Sequence, residues 1–305
     1  MKILILGNTE NQPTEKERAY YKKYVNFFKS SAETINDDTI VEVSLFDDLI
    51  ISVGDGDFSI YNTKNQRDLS EYKALFLRGD QFRKFFGVIG SINKYAIHKG
   101  LKVINDYTGV RDSSKLFQAV NFHLLNIPVA KTIYVTSAVI ANPSCVDFGF
   151  PCVMKADHGS HGDLNYVVNS IDDIKAIFDK YESKRFVLQR FVPNDCDYRI
   201  LVIGDETLVI RRTAVGDSHL NNTSKGGEAE LVDTEDLPKS VFDDTKRIME
   251  SLGMTIAGID VFSDKNTNEF YFLEVNAQPQ LMSGAFIKEK EKLMGKLLDK
   301  LSDKN

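Results

Sequence analysis

Two polar side chains near the end of the chain stand at a spacing that suits metal binding. The segment FLEVNAQP, residues 272–279, is written like a buried strand, yet Glu274 and Asn276 interrupt it two positions apart. Side chains two apart in a strand point to the same face of the sheet. Burying a carboxylate without a partner costs several kcal/mol. Glu274 therefore needs a cation nearby.

A second acidic strand supplies a third candidate ligand. GIDVF and FLEVN are separated by the polar segment SDKNTNE. A hairpin that folds about Thr267 places Asp260 opposite Glu274, because both are equally distant from its centre. Asp260, Glu274 and Asn276 would then share one face. A few hard oxygen ligands suit Mg²⁺, which takes its other ligands from water and nucleotide phosphates. The alternative is that Glu274 forms a structural ion pair with an arginine.

Basic side chains elsewhere fit the phosphates of a nucleotide. Lys155 lies in the apolar strand VMKAD, just before the glycine-rich loop DHGSHGD. A strand lysine followed by such a loop can bind phosphates through its charge and through backbone N–H groups, although many lysines at strand ends are simply solvated. His158 and His161 are more typical of a polar loop than of a metal pair. The sequence has no GxxxxGK[ST] loop, which excludes a Walker-type site.

A second group of side chains could bind another anion. Its members are predicted to lie beside the acidic hairpin: Arg199, Arg211, Arg212, Asn222 and Lys225. Arg211 and Arg212 are adjacent and point to opposite faces of a strand, so one of them could be a surface charge. A hairpin about Asp205 would bring Arg199 near both. A magnesium site, phosphate-binding lysines and a second anion site together describe phosphoryl transfer to a carboxylate.

Two kinds of sheet must position these residues. In the first third of the chain, predicted strands alternate with predicted helices, and two helices fall around Glu15–Ser30 and Phe86–Lys99. This alternation predicts a small parallel α/β sheet. It lacks GxGxxG after its first strand, so a dinucleotide-binding fold is not expected. Residues 53–68 are predicted as a polar excursion from that sheet, with Asp55 and Asp57 in a surface turn.

The rest of the chain is predicted as mostly antiparallel α+β structure. Asp112 or Ser113 would cap a helix whose apolar stripe is Leu116, Val120 and Leu124. The strand–helix alternation of the first part gives way to mostly antiparallel strands. This change predicts an α/β N-terminal domain followed by two α+β lobes. The predicted boundaries of the three are residues 1–112, 113–186 and 187–305.

Composition excludes several classes of protein. The chain has 305 residues, 42% hydrophobic and 27% charged, which is typical of a soluble globular protein of about two domains. A net charge of −6 argues against a nucleic-acid partner. No stretch is apolar enough for a signal peptide or a membrane span. The three cysteines include no CxxC, so neither a disulfide framework nor a zinc site is indicated, and we expect a cytoplasmic protein.

These segments together resemble the ATP-grasp superfamily over roughly residues 75–300, and most closely its RimK-type ribosomal-protein glutamate ligases. The resemblance is carried by RDSSKLFQAVNFHLLNIPVAKT, FPCVMKADHGSHGD, LQRFVPNDCDYRILVIGDE, IRRTAVGD, NNTSKGGEAE and AGIDVF followed by FLEVNAQP. Each segment by itself is only weakly specific for the superfamily, but the order and spacing of all of them together are highly specific. The resemblance implies an ATP-grasp fold, two lobes that clasp ATP behind the α/β N-terminal domain.

The resemblance also implies roles for the candidate residues. The residues that it assigns to ATP are Lys115, Lys155, Gly159, Ser160, Gly162, Gln189, Arg190, Phe191, Val192 and Asp197. Within this set the lysines contact phosphates, the hinge after residue 188 faces adenine through its backbone, and Asp197 contacts the ribose. It assigns two magnesium ions, for which Mn²⁺ can substitute, to Asp260, Glu274 and Asn276. It assigns the acyl phosphate and the substrates to Arg199, Arg211 or Arg212, Asn222 and Lys225.

The activity implied is an ATP-dependent carboxylate–amine ligase, expected as a homo-oligomer. Its partners would be a small-molecule acid and an amine or peptide acceptor. Two departures from the family bear on this: Leu164 stands where the loop often has a glycine, and an arginine common before Asn222 is replaced near Leu220. Two alternatives stay open. One is a ligase that forms lactone or lactam bridges in a precursor peptide docked by residues 53–68, and the other is a nucleotide-binding regulator that has lost catalysis.

Overall fold

The structure, a computed structural model, describes six stretches of the chain. They are residues 1–7, 14–78, 85–107, 114–159, 164–213 and 228–302. Their strands form four sheets. No helix within these stretches combines the length and the apolar content needed to cross a bilayer.

The N-terminal part is the parallel α/β sheet that the sequence predicts. Its elements in chain order are β1 (Lys2–Gly7), α1 (Glu15–Glu33), β2 (Ile40–Leu45), β3 (Leu49–Gly54), β4 (Asp57–Asn62), β5 (Arg67–Asp68), β6 (Ala74–Arg78), α2 (Phe86–Lys99) and β7 (Lys102–Ile104). The sheet order is β2-β1-β6-β7, and every pair is parallel. Strand β1 is buried on both faces, as a parallel strand between helices must be. Helix α2 has the predicted bounds because Gly100 ends it in the left-handed conformation, with φ 73°.

The predicted excursion is a separate antiparallel sheet of β3, β4 and β5. Asp55 and Gly56 connect β3 to β4, with φ of 47° and 82°. Positive φ at both central residues is what a two-residue hairpin requires. The surface turn is therefore confirmed, while the strands around it were not predicted. Apolar side chains stay exposed on β3, notably Ile50 at 56% and Val53 at 77%.

The central lobe is an antiparallel sheet with its own core. The next elements are α3 (Lys115–Leu124), β8 (Thr132–Tyr134), α4 (Ser137–Ala141), β9 (Cys152–Ala156), β10 (Asn165–Val168), α5 (Ile171–Lys180) and β11 (Phe186–Arg190). The sheet order is β10-β9-β11-β8. Fully buried Met154, Ile174 and Phe186 form part of the core between this sheet and α5. The sheet continues to Arg190, which lies beyond the predicted lobe boundary.

The C-terminal lobe is a five-stranded antiparallel sheet between two helices. Its elements are β12 (Asp197–Ile203), β13 (Glu206–Thr213), β14 (Glu228–Val232), α6 (Lys239–Leu252), β15 (Ile256–Ser263), β16 (Phe270–Asn276) and α7 (Ile287–Ser302). The order is β14-β13-β12-β15-β16. Ile200 belongs to one core cluster with Ile248 of α6, and Leu201 belongs to another with Met294 of α7. The two helices therefore cover opposite faces.

Helix α3 departs from its prediction in two ways. Its N-cap is Ser114, whose Oγ accepts from the backbone N of Phe117 at 3.2 Å, so the predicted cap one or two residues earlier is wrong. The predicted apolar stripe is also wrong, because Val120 and Leu124 are exposed while Phe122 is buried. The ring of Phe122 lies 6.1 Å from that of Phe272 in β16. Packing against β16 thus selects a different face from the one that periodicity indicates.

Candidate active site

One face of the five-stranded sheet changes from apolar to charged along its strands. From the apolar end, the positions on this face are Ile203, Leu201, Arg199 and Asp197 on β12, and Ile256, Gly258 and Asp260 on β15. The apolar end packs against α7 in the core. The charged end lies beyond that contact. Because residues two apart in a strand share a face, the face that is buried in the core at one end of the strands becomes the polar site at the other end.

The acidic hairpin has the register that the sequence predicts. Asp260 pairs with Glu274, and Gly258 pairs with Asn276. A bulge follows directly, because Val261 pairs with Phe272. The amide Nδ2 of Asn276 donates to Oε1 of Glu274 at 3.2 Å. The three proposed metal ligands therefore share one face.

Asp260 is bound by two arginines. Arg199 donates from Nε and Nη2 to the two carboxylate oxygens, at 2.8 and 2.7 Å. Nη2 of Arg212 lies 3.1 Å from Oδ2. Burial by itself raises the pKa of Asp260, but the two guanidinium groups outweigh it and hold the pKa below its ordinary value. The sequence allowed an ion pair between Glu274 and an arginine. In the structure Asp260, which lies opposite Glu274, forms that ion pair instead.

Arg212 joins Asp260 to a second buried carboxylate. Its Nε donates to Oδ1 of Asp197 at 2.5 Å, and both residues are at least nine-tenths buried. Burial raises the pKa of Asp197 to about 7, with the Arg212 guanidinium opposing the shift and the Asp260 carboxylate adding to it. Asp197, which the resemblance assigns to the ribose, is therefore held in a network of alternating charges.

Arg211 lies apart from this network. In the register of β12 and β13, Arg199 pairs with Ile210 and Arg211 pairs with Tyr198, so Arg211 points to the other face. There its Nη1 lies 3.0 Å from Oε1 of Glu230 in β14, and 43% of the Arg211 side chain and 61% of the Glu230 side chain are exposed. The structure brings Arg199 and Arg212 together and leaves Arg211 out of their patch.

The central lobe contributes a lysine to the same region. Nζ of Lys155 donates to Oε1 of Gln189 at 2.8 Å. Burial lowers the pKa of Lys155 to about 8; the Glu274 carboxylate opposes this, and the Lys115 ammonium adds to it. Glu274 of one lobe and the two lysines of the other therefore lie close enough to interact electrostatically.

The start of the glycine-rich loop is tied to helix α3. Asp157 accepts from the backbone N of Lys115 at 3.0 Å through its carbonyl, and from the N of Leu116 at 2.9 Å through its carboxylate. Nζ of Lys115 lies 3.4 Å from the carbonyl of Gly159. Leu164, at the far end of the loop, has a φ of 51°. That left-handed conformation favours glycine, which gives a physical reason for the family preference at this position.

Four predicted site residues lie outside the described residues. They are Ser160, Gly162, Asn222 and Lys225. Their assignments stay predictions.

The predicted hinge connects the two lobes. Strand β11 ends at Arg190 and β12 begins at Asp197. The Arg190 guanidinium lies 5.3 Å from the ring centroid of Tyr271, and Val192 is buried beside Ala130 and Phe262. Phe191 is partly buried. The side chains of Arg190 and Val192 pack against the protein, as expected if the hinge uses backbone groups toward a ligand.

The available oxygen ligands suit Mg²⁺ better than a metal ion whose ligands all come from protein side chains. In the part of the chain that the structure describes, no three His, Cys, Asp or Glu side chains converge on one point. The protein would therefore offer two carboxylates, Asp260 and Glu274, and the amide of Asn276. Such a small oxygen set fits Mg²⁺, which keeps waters and shares the oxygens of phosphates. The residues present fit the ion.

Sequence reasoning missed two buried cations beside this site. Arg78, at the end of β6, donates from Nη2 to the carbonyl of Pro279 at 2.9 Å. Lys290 of α7 donates to the carbonyls of Gln280 and Ser283 at 2.9 and 3.0 Å. Both therefore bind the segment that follows Asn276. In the sequence each of them is a charged residue next to an apolar run. This pattern is common for surface residues, so it does not indicate a buried cation.

Comparison with known proteins identifies the family. A probable alpha-L-glutamate ligase from Rhodopirellula baltica is 27% identical over 77% of this chain, which spans about three fifths (61%) of that protein's length. An alpha-aminoadipate–LysW ligase, LysX, from Saccharolobus solfataricus is 29% identical over 59% of this chain and 67% of its own.

Solved structures show the same fold. The ATP-grasp ligase PsnB, in complex with the precursor peptide PsnA2 and AMPPNP, superposes with a TM-score of 0.68 at 16% identity, over 98% of this chain and 96% of its own. The model of the RimK-like ATP-grasp domain matches residues 112–300, which include both lobes and every charged group of the site described above. This chain belongs to the RimK-like ATP-grasp domain family.

Proposed function

We propose that the protein is an ATP-dependent ligase that joins a carboxylate to an amine through an acyl phosphate. The observation that supports this most directly is the convergence of opposite charges where the two lobes meet. Asp260, Glu274 and Asn276 come from one lobe with Arg199, while Lys155 comes from the other. The names of the glutamate and aminoadipate ligases support the same class of reaction.

ATP would lie between the lobes. Lys155 and Lys115 would bind its phosphates, under the loop that contains Gly159, Ser160 and Gly162. The backbone of the hinge from Gln189 to Val192 would face the adenine, with Asp197 toward the ribose. The low pKa of Lys155 suits this role, because a desolvated ammonium gains more from a phosphate than a solvated one.

Asp260, Glu274 and Asn276 would hold Mg²⁺. Bound there, the ion would neutralise charge on the β- and γ-phosphates.

The acid's carboxylate would attack the γ-phosphorus, and ADP would leave. An amine would then attack the acyl carbon of the acyl phosphate, which gives an amide and releases phosphate. Arg199 and Arg212 are held in place by Asp260, so they would stabilise the transferred phosphoryl group without reorganising. The resemblance assigns Asn222 and Lys225 to the acyl phosphate and the substrates as well. Arg211 is the weaker candidate for this role, because it forms an ion pair with Glu230 on the opposite face of the sheet.

The test is release of ADP by the purified protein across paired acids and amines or peptides. We expect release that depends on both partners. Glu274→Gln should reduce it by roughly 10²-fold or more with the fold intact, because the amide keeps the shape but removes an anionic ligand. Glu230→Gln, on the opposite face, is the matched control and should retain activity. Full activity in Glu274→Gln, or no ADP with any pair, would exclude the proposal.

A second candidate is a ligase that bridges side chains of a precursor peptide. The sheet of β3, β4 and β5 supports it, because Ile50, Val53 and Tyr61 expose 56%, 77% and 40% of their surface. PsnB, which resembles this chain in fold, was solved with a precursor peptide. Capture of a co-encoded small peptide by the wild type, lost when Ile50 and Val53 are both changed to Ser, would favour this candidate over free amines.

A further inference from the structure

The segment of residues 277–286, which connects β16 to α7, lies beside two residues of the charged site. It follows directly after Asn276. Its Pro279 and the side chain of Arg199 both approach Gly258: a Cβ placed on that glycine would lie 3.2 Å from Cβ of Pro279 and 3.5 Å from Cδ of Arg199. The position of this segment therefore limits the space that the Arg199 side chain can occupy.

The shape of segment 277–286 is not one that its own residues favour. None of them belongs to a helix or a strand, so the backbone polar groups need partners elsewhere. Phe286, the last residue, has a φ of 62°, a left-handed conformation that is unfavourable for a residue with a Cβ. Leu281 is fully buried in the core, which anchors a side chain but no carbonyl. Contacts with distant parts of the chain therefore hold the backbone of the segment in place.

Lys290 of α7 makes such a contact. It is 4% exposed, and its Nζ donates to the carbonyls of Gln280 and Ser283 at 2.9 and 3.0 Å. An ammonium has three N–H donors and no acceptor, so it can bind several carbonyls at once. A Cβ placed on Gly284 would lie 4.0 Å from the same Nζ. The segment thus turns around the ammonium of Lys290.

A buried ammonium is a costly partner for two carbonyls. Burial lowers the pKa of Lys290 to about 8, and the guanidinium of Arg199 adds to the decrease. Because Arg199 acts on this pKa, the two cations are near enough to interact through their charges. A neutral amide could donate to the same carbonyls without burying a charge. Residues that break a local rule in this way are expected at functional sites.

We propose that Lys290 is a positioning residue of the site. Its ammonium binds the residue after Pro279 and so holds Pro279 against the side chain of Arg199, which we assign to the transferred phosphoryl group. Lys290 acts through Pro279 in this role and not by contact with a ligand. The inference rests on the proposed ligase function and adds to it a residue of α7.

The test combines hydrogen exchange with turnover in Lys290→Met. Exchange followed by mass spectrometry should become about tenfold faster or more in peptides from 277–286, because the local structure opens more often, while peptides from β12 and β15 keep wild-type rates. With the acid and amine pair that releases ADP from the wild type, kcat should fall by about 10- to 100-fold, because small displacements of positioned groups cost rate. The affinity for AMPPNP with Mg²⁺ should stay within about twofold, because Lys290 shares no partner with Lys155.

Lys296→Met is the matched control, because Lys296 lies on the same helix but is exposed and pairs with Glu206. It should match the wild type in every measurement. Unchanged kcat in Lys290→Met, even with faster exchange in 277–286, would overturn the proposal, since Lys290 would then only stabilise the segment. Faster exchange in β12 and β15 as well would show a role in the fold as a whole and would also overturn it. If Lys290→Met does not fold, Lys290→Gln, which removes the charge and shortens the reach of the donors, is measured in the same way with the same expectations.

A failure of the ligase proposal would look different. In that case no pair of acid and amine would release ADP from the wild type, while faster exchange in segment 277–286 of Lys290→Met would still show that Lys290 holds this segment in place.

Discussion

At the scale of single residues, the site consists of charges that depend on partners from other strands. Arg212 binds Asp197 and Asp260, and Arg199 binds Asp260 through both carboxylate oxygens. Removing one member of such a buried set leaves its partner uncompensated, which costs about 3–5 kcal/mol. An Arg199→Ala variant would therefore disturb Asp260, the proposed metal ligand, as well as any substrate contact. A variant that keeps the positive charge at this position would report on the substrate contact more cleanly.

Lys155 provides a prediction about pH. Its pKa of about 8 lies below the ordinary 10.5. Between those values the unfolded chain keeps a proton that the folded protein has released, so this group's contribution to the free energy of unfolding becomes more favourable as pH rises through that window. Phosphates favour the charged form. At about pH 9 we therefore expect binding of AMPPNP with Mg²⁺ to take up close to one proton.

Calorimetry in buffers of different ionisation enthalpy measures that proton. Lys155→Met should bind the nucleotide more weakly and without proton uptake. Lys290→Met is the control, because Lys290 has a similarly lowered pKa but, among the described residues, its ammonium donates to the backbone carbonyls of Gln280 and Ser283. Unchanged proton uptake in Lys155→Met would remove Lys155 from the phosphate site.

At the scale of elements, strands β15 and β16 carry the acidic residues proposed as metal ligands, and the segment after β16 packs back onto these strands. Gly258 makes this close approach possible, because it pairs with Asn276 and faces Pro279. A glycine inside a strand often marks a place where another backbone comes near. The position of Arg199 and that of the segment after Asn276 are thus coupled through one glycine.

Gly258→Ala should displace Pro279 by a few tenths of an ångström, because the added Cβ would lie 3.2 Å from Cβ of Pro279. We expect turnover to fall by roughly tenfold, because small displacements of positioned groups cost rate, while the free energy of unfolding changes by about 1–2 kcal/mol. Gly90→Ala in α2 is the control, since its Cβ would meet no atom within 4 Å. Steady-state ADP release and urea denaturation measure the two effects. Wild-type turnover in Gly258→Ala would contradict this account of the strand pair.

At the scale of the whole molecule, the N-terminal domain and the C-terminal lobe share a core. Residues of α1 and β1 belong to the same buried cluster as Leu201 and Met294. Asn105, just after β7, is 1% exposed and fastens the two parts. Its amide donates to the carbonyls of Ile256 and Ala277, and its oxygen accepts from the backbone N of Thr255 and Ile256. The domain and the lobe should therefore unfold together.

Asn105→Ala should lower the free energy of unfolding by roughly 2–4 kcal/mol, because it leaves several buried backbone groups without partners. Asn142→Ala, which removes an exposed amide bonded to one carbonyl, should change it by less than about 1 kcal/mol. Urea denaturation followed by circular dichroism compares the two. A loss in Asn105→Ala no larger than that in Asn142→Ala would show that the contact does not hold the domain to the lobe.

The sequence by itself determined the features that depend on neighbouring residues. Alternation and the polar turn predicted the register of Asp260 with Glu274, and Gly100 predicted the end of α2. Only the tertiary structure decided which charges meet. It placed Arg211 against Glu230, exposed Val120, and brought Arg78 to Pro279, 201 positions away. Periodicity constrains a strand or helix along its own length, whereas the partner of a buried charge is set by how distant segments pack.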